Sequence, residues 1–391
     1  MAGPRQVGKT TLAKQWGNAS LNGYLYYNWD DEKTRRSFRK DSKFFESQAR
    51  EKGGNCRIIL DEIHKIPQWK TVLKGYFDTL GDQFSFFVTG SARLEILQRT
   101  GDSMLGRYHL LHLYPLHPFE AEKKETQVVS PATLNTHYEE ILGTTPCSIE
   151  TIKNLLVFSG FPEIFLKQSE RSLTLWHREY LQRLIREDLR DLSRITDLLK
   201  LEHLIEILPH KVGSPLSLNS LREDLLCSHD TVKSMIHALE KLYIILLIPP
   251  YHKRIPYSLR KESKLYFLDW TLVPEEGARF ENFVAIQLIS FCHMINDGGW
   301  GNLDLFYVRD KQKKEVDFLI TNNHKPVFLV EVKIKPSSHT KELEYFGGKL
   351  RPLAKFQVVA EPHIFKQIKK DLWVLSINRF FNLLWKVPGL V

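Results

Sequence analysis

Gly3-Pro-Arg-Gln-Val-Gly8-Lys9-Thr10 has the form G-x-x-x-x-G-K-[ST], and Thr11-Leu12-Ala13-Lys14 directly after it can continue as a helix. The two glycines let the backbone curl so that successive N–H groups converge on a phosphate. The start of a helix at the same point adds about half a positive charge. In such a loop Lys9 contacts the β- and γ-phosphates and the Thr10 hydroxyl is a magnesium ligand. The nucleotide site read from this stretch comprises Gly3, Pro4, Arg5, Gln6, Val7, Gly8, Lys9, Thr10 and Thr11.

A pattern of this kind recurs by chance in long chains, so a second element is needed. Ile58-Ile59-Leu60-Asp61-Glu62 supplies it, as an apolar strand that ends in two acids. Asp61 can hold magnesium and Glu62 can polarise an attacking water. A third strand, Phe84 to Thr89, runs into Gly90-Ser91 and places Thr89 and Ser91 where small hydroxyls could sense a γ-phosphate, although Gly-Ser is also ordinary turn chemistry. Arg107, in Gly106-Arg107-Tyr108, reads equally as a charge-stabilising arginine, in cis or from a neighbouring subunit, and as a surface arginine.

These strands, together with Tyr24 to Trp29, alternate with helical stretches at Thr10 to Trp16 and Trp69 to Leu80. Such alternation implies an α/β fold with a mostly parallel sheet covered by helices. A P-loop normally follows a buried strand, yet only Met1 and Ala2 precede Gly3. The expectation is that the first strand is missing, with an upstream segment outside this chain and an incomplete pocket.

The 391 residues carry 42% hydrophobic and 26% charged side chains, enough for two or three domains with their own cores. Cys56, Cys147, Cys227 and Cys292 lack paired spacing, which argues for reduced core thiols rather than disulfides or a zinc set. The longest apolar run, Tyr243 to Pro250, is too short to span a bilayer, and the expected location is the cytoplasm, away from membrane. A formal net charge of +9 is compatible with a polyanion such as DNA.

After Glu120 the chain turns polar through Thr126 to Cys147, where a domain boundary is expected. Trp176 to Ile207 has the spacing of one or two long helices, with Arg186, Asp188, Arg190 and Asp191 on a solvated face. From Ser217, two short helices joined at Cys227-Ser228-His229 precede a strand, the order of a winged helix. Its second helix presents Lys233, Ser234, His237, Glu240 and Lys241, of mixed sign, which favours interdomain packing over sequence-specific DNA binding.

Further on, a helix from Glu281 to Cys292 leads to strands near Leu303 to Tyr307, Glu315 to Ile320 and Val327 to Val332, the last two forming a hairpin across Asn322 to Pro326. Glu331 and Lys333, two apart, share a strand face, and Asp317 lies on the neighbouring strand. Asp317 and Glu331 can hold magnesium between them while Lys333 orients or deprotonates a water for phosphodiester attack, with Glu281 completing the cluster. An isolated E-x-K more often lies on the wet face of an amphipathic hairpin.

Taken in order, GPRQVGKTTLAKQW, IILDEIHKIPQW, FVTGSARLEIL and GRYHLLHLYPLHPFE resemble the AAA-like ATPase domain of a large bacterial and archaeal family. Its members usually carry a C-terminal domain of unknown function that looks like a restriction-endonuclease, PD-(D/E)xK, fold. SGFPEIFL, LYIILLIPPY, KLYFLDWTL, FENFVAIQL, EVDFLI and VEVK resemble the middle and C-terminal parts of the same family, so the likeness runs from Gly3 to about Asn382. It implies ATP and Mg2+ at Gly3, Gly8, Lys9 and Thr10, Walker B acids at Asp61 and Glu62, and Arg107 as the arginine of the G-R element. It also implies an endonuclease-like core at Glu281, Asp317, Glu331 and Lys333. The implied division is a P-loop domain at 1–125, a linker and helical region at 126–200, a winged-helix-like domain at 201–262 and the endonuclease-like domain at 263–391. AAA-like sites that borrow an arginine imply a homo-oligomer.

Overall fold

A computed structural model describes residues 1–385 except 53–55, 67, 91–105, 124–138, 141, 144–145, 186–196, 253–261 and 339. The chain forms two compact units, Met1–Tyr114 and Pro115–Val391. Most of the polar stretch expected to hold a boundary, the four charged residues at 186–191 and Ser91 lie outside the described residues.

In the first unit, α1 (Lys9–Asn18), β1 (Tyr24–Asn28), α2 (Glu32–Lys40), α3 (Glu46–Glu51), β2 (Arg57–Asp61), α4 (Trp69–Leu80) and β3 (Ser85–Val88) follow in turn. The strands stand in the order β1-β2-β3 and both pairings are parallel, with Asn28 opposite Asp61 and Leu60 opposite Val88. Only buried, helix-covered parallel strands tolerate so apolar a run as Ile58-Ile59-Leu60, each fully buried. Trp29, Phe45, Tyr76, Leu80 and Phe84 close the core on one side, and burial of each large side chain contributes about 1.5–3 kcal/mol.

Helix α1 rests on the sheet along Lys9, Ala13 and Gly17, the buried residues of its i, i+4 row. Gly17 is required there: a Cβ would come within 2.6 Å of the Tyr24 ring and 3.0 Å of Ile59. Met1 and Ala2 lie against β3 and the segment at Leu111–Leu113. The Met1 amine donates to the Val88 carbonyl at 2.6 Å, the Ala2 N–H donates to Leu111 O at 2.8 Å, and Leu113 N–H donates to Ala2 O at 2.9 Å. Ala2 thus bridges His112 in parallel. A groove of about 440 Å³ runs beside Ser85–Val88 and Arg107–Leu111.

The second unit opens with α5 (Pro118–Ala121), α6 (Ile149–Phe158), α7 (Pro162–Lys167), α8 (Glu170–Arg183) and α9 (Leu198–Ile207). Helices α10 (Leu218–Asp224) and α11 (His229–Lys241) follow, then the antiparallel ribbon of β4 (Ile245–Ile248) and β5 (Lys264–Phe267). In α11 the predicted apolar face is the buried one, with Val232, Met235, Ile236 and Leu239 inside. Cys56, Cys147 and Cys292 are buried free thiols, whereas Cys227 at the α10–α11 turn is only half-buried.

Helix α12 (Glu276–Asp297) leads into a six-stranded sheet built from β6 (Leu303–Arg309), β7 (Glu315–Asn322), β8 (Lys325–Lys333), β9 (Ala354–Val359), β10 (Phe365–Lys369) and β11 (Leu372–Ser376). Its order is β10-β11-β9-β8-β7-β6, with β8, β9 and β11 parallel and the remaining pairs antiparallel. Helix α13 (Lys341–Leu350) lies between β8 and β9 in the chain and buries Leu343 and Phe346 against Leu319 and Leu329; α14 (Ile377–Trp385) ends the described chain. The β7–β8 connection is tighter than its sequence suggested. Asn323 and His324 alone make the turn, at φ 49° and 63°, and Pro326 sits inside β8 opposite Thr321. A register shift at Ile320/Thr321 accommodates the missing proline donor.

Candidate nucleotide and carboxylate sites

The loop from Gly3 to Gly8 needs backbone that only glycine adopts cheaply. Gly3 has φ 149°, and a Cβ on it would lie 2.3 Å from the Leu113 carbonyl oxygen; Gly8, at φ 105°, caps α1 and starts its hydrogen-bond ladder through Leu12 N–H. Lys9 is buried, and its ammonium folds back to donate to the Gly3 and Pro4 carbonyls at 3.0 and 2.6 Å. The same ammonium therefore lies across the loop that would cradle a phosphate.

Asp61, 2% exposed at the end of β2, is the hub of this site. Thr10 Oγ1 donates to its Oδ2 at 2.9 Å, Tyr26 donates to the same oxygen at 2.6 Å, and Thr89 donates to Oδ1. Three hydroxyls satisfy a carboxylate that would otherwise cost several kcal/mol to bury. Burial, with Asp61 beside it, raises the Tyr26 phenol pKa, so Tyr26 stays a neutral donor. Glu62 follows with left-handed backbone, φ 57°, and its carboxylate lies 3.4 Å from His64 Nδ1. Burial raises the Glu62 pKa, and Lys9 opposes part of that rise.

Thr10 and Asp61 therefore pair the two hard oxygen donors that a magnesium ion takes, and the residues fit that ion. The Arg107 Nε donates to Asp78 of α4 at 2.7 Å, and Arg107 lines the groove along β3. Tyr26 escaped sequence reading because a tyrosine in an aromatic strand carries no mark of its partner.

In the second unit, Glu281, Asp317, Glu331 and Lys333 gather around residues that sequence spacing did not single out. Across the hairpin Val332 N–H donates to Asp317 Oδ2 at 2.9 Å, and along β8 Lys333 lies 3.2 Å from Glu331 Oε1. Glu331 is 6% exposed, and its Oε2 has no hydrogen-bond partner among the described residues. Burial raises its pKa, with Lys333 opposing. Burial opposes the Lys333 charge, yet Glu331 and Asp317 raise its pKa.

Glu281 joins the cluster through Lys264. The Lys264 ammonium, with its side chain 1% exposed, lies 2.7 Å from Glu315, 3.3 Å from Glu281 and 3.4 Å from Asp317. Tyr266 donates to Glu281 at 2.7 Å, and Arg309 donates to Glu315 at 2.9 Å. Burial and Asp317 hold the Glu281 carboxyl well above the usual range. Burial disfavours charge on Lys264, but Glu281, Asp317 and Glu315 outweigh it and raise its pKa. Among the described residues no three His, Cys, Asp or Glu side chains converge as a metal-ligand group. A separate groove of about 980 Å³ along α11 exposes His229, Lys233 and His237 beside Asp230, Glu240 and Glu262, of mixed sign as its sequence indicated.

Residues 1–121 match a family model described as an AAA domain. Residues 149–275 and 276–380 match two models described as domains of unknown function, DUF8612 and DUF4143. An uncharacterized protein of Methanocaldococcus jannaschii is 24% identical over 366 residues, covering 90% of this chain and 78% of that relative. An uncharacterized protein of Mycobacterium tuberculosis is 22% identical, with 83% and 68% covered. A RuvB mutant structure from Thermotoga maritima is 16% identical with a TM-score of 0.30, covering 64% of this chain and 81% of that one. Residues 1–121 are similar to an AAA domain, and the first unit is of mixed α/β architecture with a parallel sheet. No helix among the described residues is long and apolar enough to cross a membrane.

Proposed function

We propose that the chain is a Mg2+-dependent ATPase whose nucleotide state acts on the C-terminal domain. The 2.9 Å contact between Thr10 and Asp61, with Glu62 next in sequence, carries this reading. It joins a P-loop hydroxyl to a strand-end acid within an AAA-like domain. Loop N–H groups from Gly3 to Thr10 and the α1 dipole bind the phosphates. Lys9 exchanges the Gly3 and Pro4 carbonyls for phosphate oxygens, so no unpaired ammonium is left in either state. Thr10 and Asp61 would hold Mg2+, which would supply positive charge to the phosphates. Glu62, its carboxyl raised by burial, accepts the proton of the attacking water.

ATP turnover by the full chain, Lys9→Ala and Glu62→Gln tests this. Expected is a fall of about 100-fold or more for Glu62→Gln. Equal background rates in all three would instead support a non-hydrolysing scaffold that binds DNA or protein. Arg107 acts in this reading from one subunit on the next within a homo-oligomer, a role its contact with Asp78 leaves to an assembled state.

A second reading concerns Asp317, Glu331 and Lys333. The unpartnered buried Glu331 Oε2 beside Asp317 favours an endonuclease-like Mg2+ site in which Lys333 orients water and DNA is the substrate. The helix-turn-helix and ribbon, α10 to β5, would serve as a winged-helix module. Plasmid cleavage with Mg2+ or Mn2+, lost in Asp317→Ala and Lys333→Ala, tests this; cleavage unchanged by both would mark a contaminant.

A further inference from the structure

Lys264 comes from β5, inside the stretch matched as one domain of unknown function, whereas the acids it meets belong to the stretch matched as the next. Three observations converge on it. Its ammonium is almost wholly buried and lies within 3.4 Å of three carboxylates. Both oxygens of Asp317 are engaged, Oδ1 by Lys264 and Oδ2 by Val332 N–H. Beside them Glu331 Oε2 is buried without a partner.

A buried lysine among acids is held firmly, because a neutral amine would leave those acids uncompensated. The surroundings of Glu281 also restrict movement. Tyr266 fixes its Oε1, and Gly213, at φ 77°, brings its backbone so close that a Cβ there would lie 3.1 Å from Oε2. The carboxylates are thus held in place around a cation that the chain itself supplies.

We propose that Lys264 is the resident cation of this cluster and that a divalent ion gains Asp317 only by displacing it. The inference rests on the second reading above, that Asp317 and Glu331 form a metal site. Lys264 is then a positioning residue that keeps the cluster assembled without metal and sets its affinity for metal low. The unpartnered Glu331 oxygen is the point at which an incoming ion first finds a free acceptor.

The experiment is a Mn2+ titration of the nucleotide-free full chain, read by the loss of the free-ion electron paramagnetic resonance signal. It compares wild type, Lys264→Met, Lys264→Gln, Lys264→Arg, Glu315→Gln, Asp317→Asn and the Lys264→Met/Asp317→Asn pair, with circular dichroism verifying folding. Expected is at least about tenfold tighter Mn2+ binding in whichever neutral Lys264 variant folds, since a positive charge beside the site is removed. Asp317→Asn in the same chain abolishes that gain. Lys264→Arg keeps the weak affinity of wild type, and Glu315→Gln, which loosens the 2.7 Å clasp while sparing the lysine, gives an intermediate gain.

Asp317-dependent binding of equal affinity in wild type and the neutral variants would overturn the role of Lys264 while leaving the metal site standing. No Asp317-dependent binding in any variant would overturn both. Should both neutral variants fail to fold, Glu315→Gln decides: wild-type affinity in that folded variant overturns the proposal.

Discussion

Thr10 and Asp61, 51 positions apart, meet through a 2.9 Å hydrogen bond from Oγ1 to Oδ2, with Tyr26 and Thr89 on the same carboxylate. In the function proposed above, the hydroxyl that opens the P-loop helix and the acid that ends the central strand would share one ion. Thr10→Ser should keep nucleotide affinity in Mg2+ near wild type. Thr10→Ala should lower it about tenfold, the loss of one charge-assisted hydrogen bond. Fluorescent-nucleotide titration with and without Mg2+ reads the difference, and equal affinities for both variants would contradict the arrangement.

Asp61→Asn keeps the shape but turns an amide N–H2 towards hydroxyls that donate to the carboxylate now. Destabilisation of the first unit by about 1–3 kcal/mol is expected. Denaturant unfolding checks it, with Tyr26→Phe as the milder control at about 1 kcal/mol.

Gly17→Ala sets two effects against each other. Alanine favours a helix interior by about 1 kcal/mol over glycine, but its Cβ would meet the Tyr24 ring at 2.6 Å and push α1 off the sheet. Overpacking of this kind costs about 1–3 kcal/mol, so the net effect is destabilising. Because α1 carries Lys9 and Thr10, nucleotide affinity should fall along with the melting temperature.

Asp269 gathers three side chains in the second unit: Ser159 at 2.8 Å, His177 at 2.8 Å and Thr271 at 2.6 Å. It is 3% exposed, and although burial raises its pKa, His177 and the hydroxyls bring it below the ordinary value. Asp269→Ala strands these donors and should cost about 2–4 kcal/mol. A melting temperature within a degree of wild type would refute the hub.

His117 gives the second unit a pH dependence. Its ring stacks on Trp385 at 4.0 Å, and Nδ1 accepts the Glu120 N–H at the start of α5, so that nitrogen carries no proton. Burial lowers its pKa from 6.5 to about 3. Between those values the unfolded chain binds the extra proton at this ring, while Glu120 beside it, pushed up to about 7 by burial, works in the opposite direction. The histidine's own contribution is full above pH 6.5 and falls as pH drops towards 3. The loss reaches on the order of 4 kcal/mol. His117→Asn, which retains an N-cap acceptor but does not titrate, should flatten this part of the curve in urea unfolding between pH 4 and 7.

Much of the P-loop unit was legible because its signals are local. Glycines at 3 and 8 report backbone that other residues avoid, and the Ile58–Leu60 run reports a strand covered on both faces. The two strands of the β7–β8 hairpin were legible for the same reason, whereas the two-residue turn and register that bring Asp317 to Val332 came from the structure. Pro326 was misplaced into the turn because a bulge, which depends on the partner strand, lets it sit inside β8.

By itself, then, the sequence determined the P-loop, the acidic strand end and the E-x-K hairpin, all written in neighbours a few residues apart. Only the tertiary structure decided that Tyr26 and Thr89 serve Asp61, that Arg107 rests on Asp78, and that Lys264 stands among acids up to 53 positions away. The reason is physical. Backbone conformation and periodicity are properties of a short segment, whereas the partner of a buried charge is chosen by packing, where an unpaired ion costs more than any local preference returns.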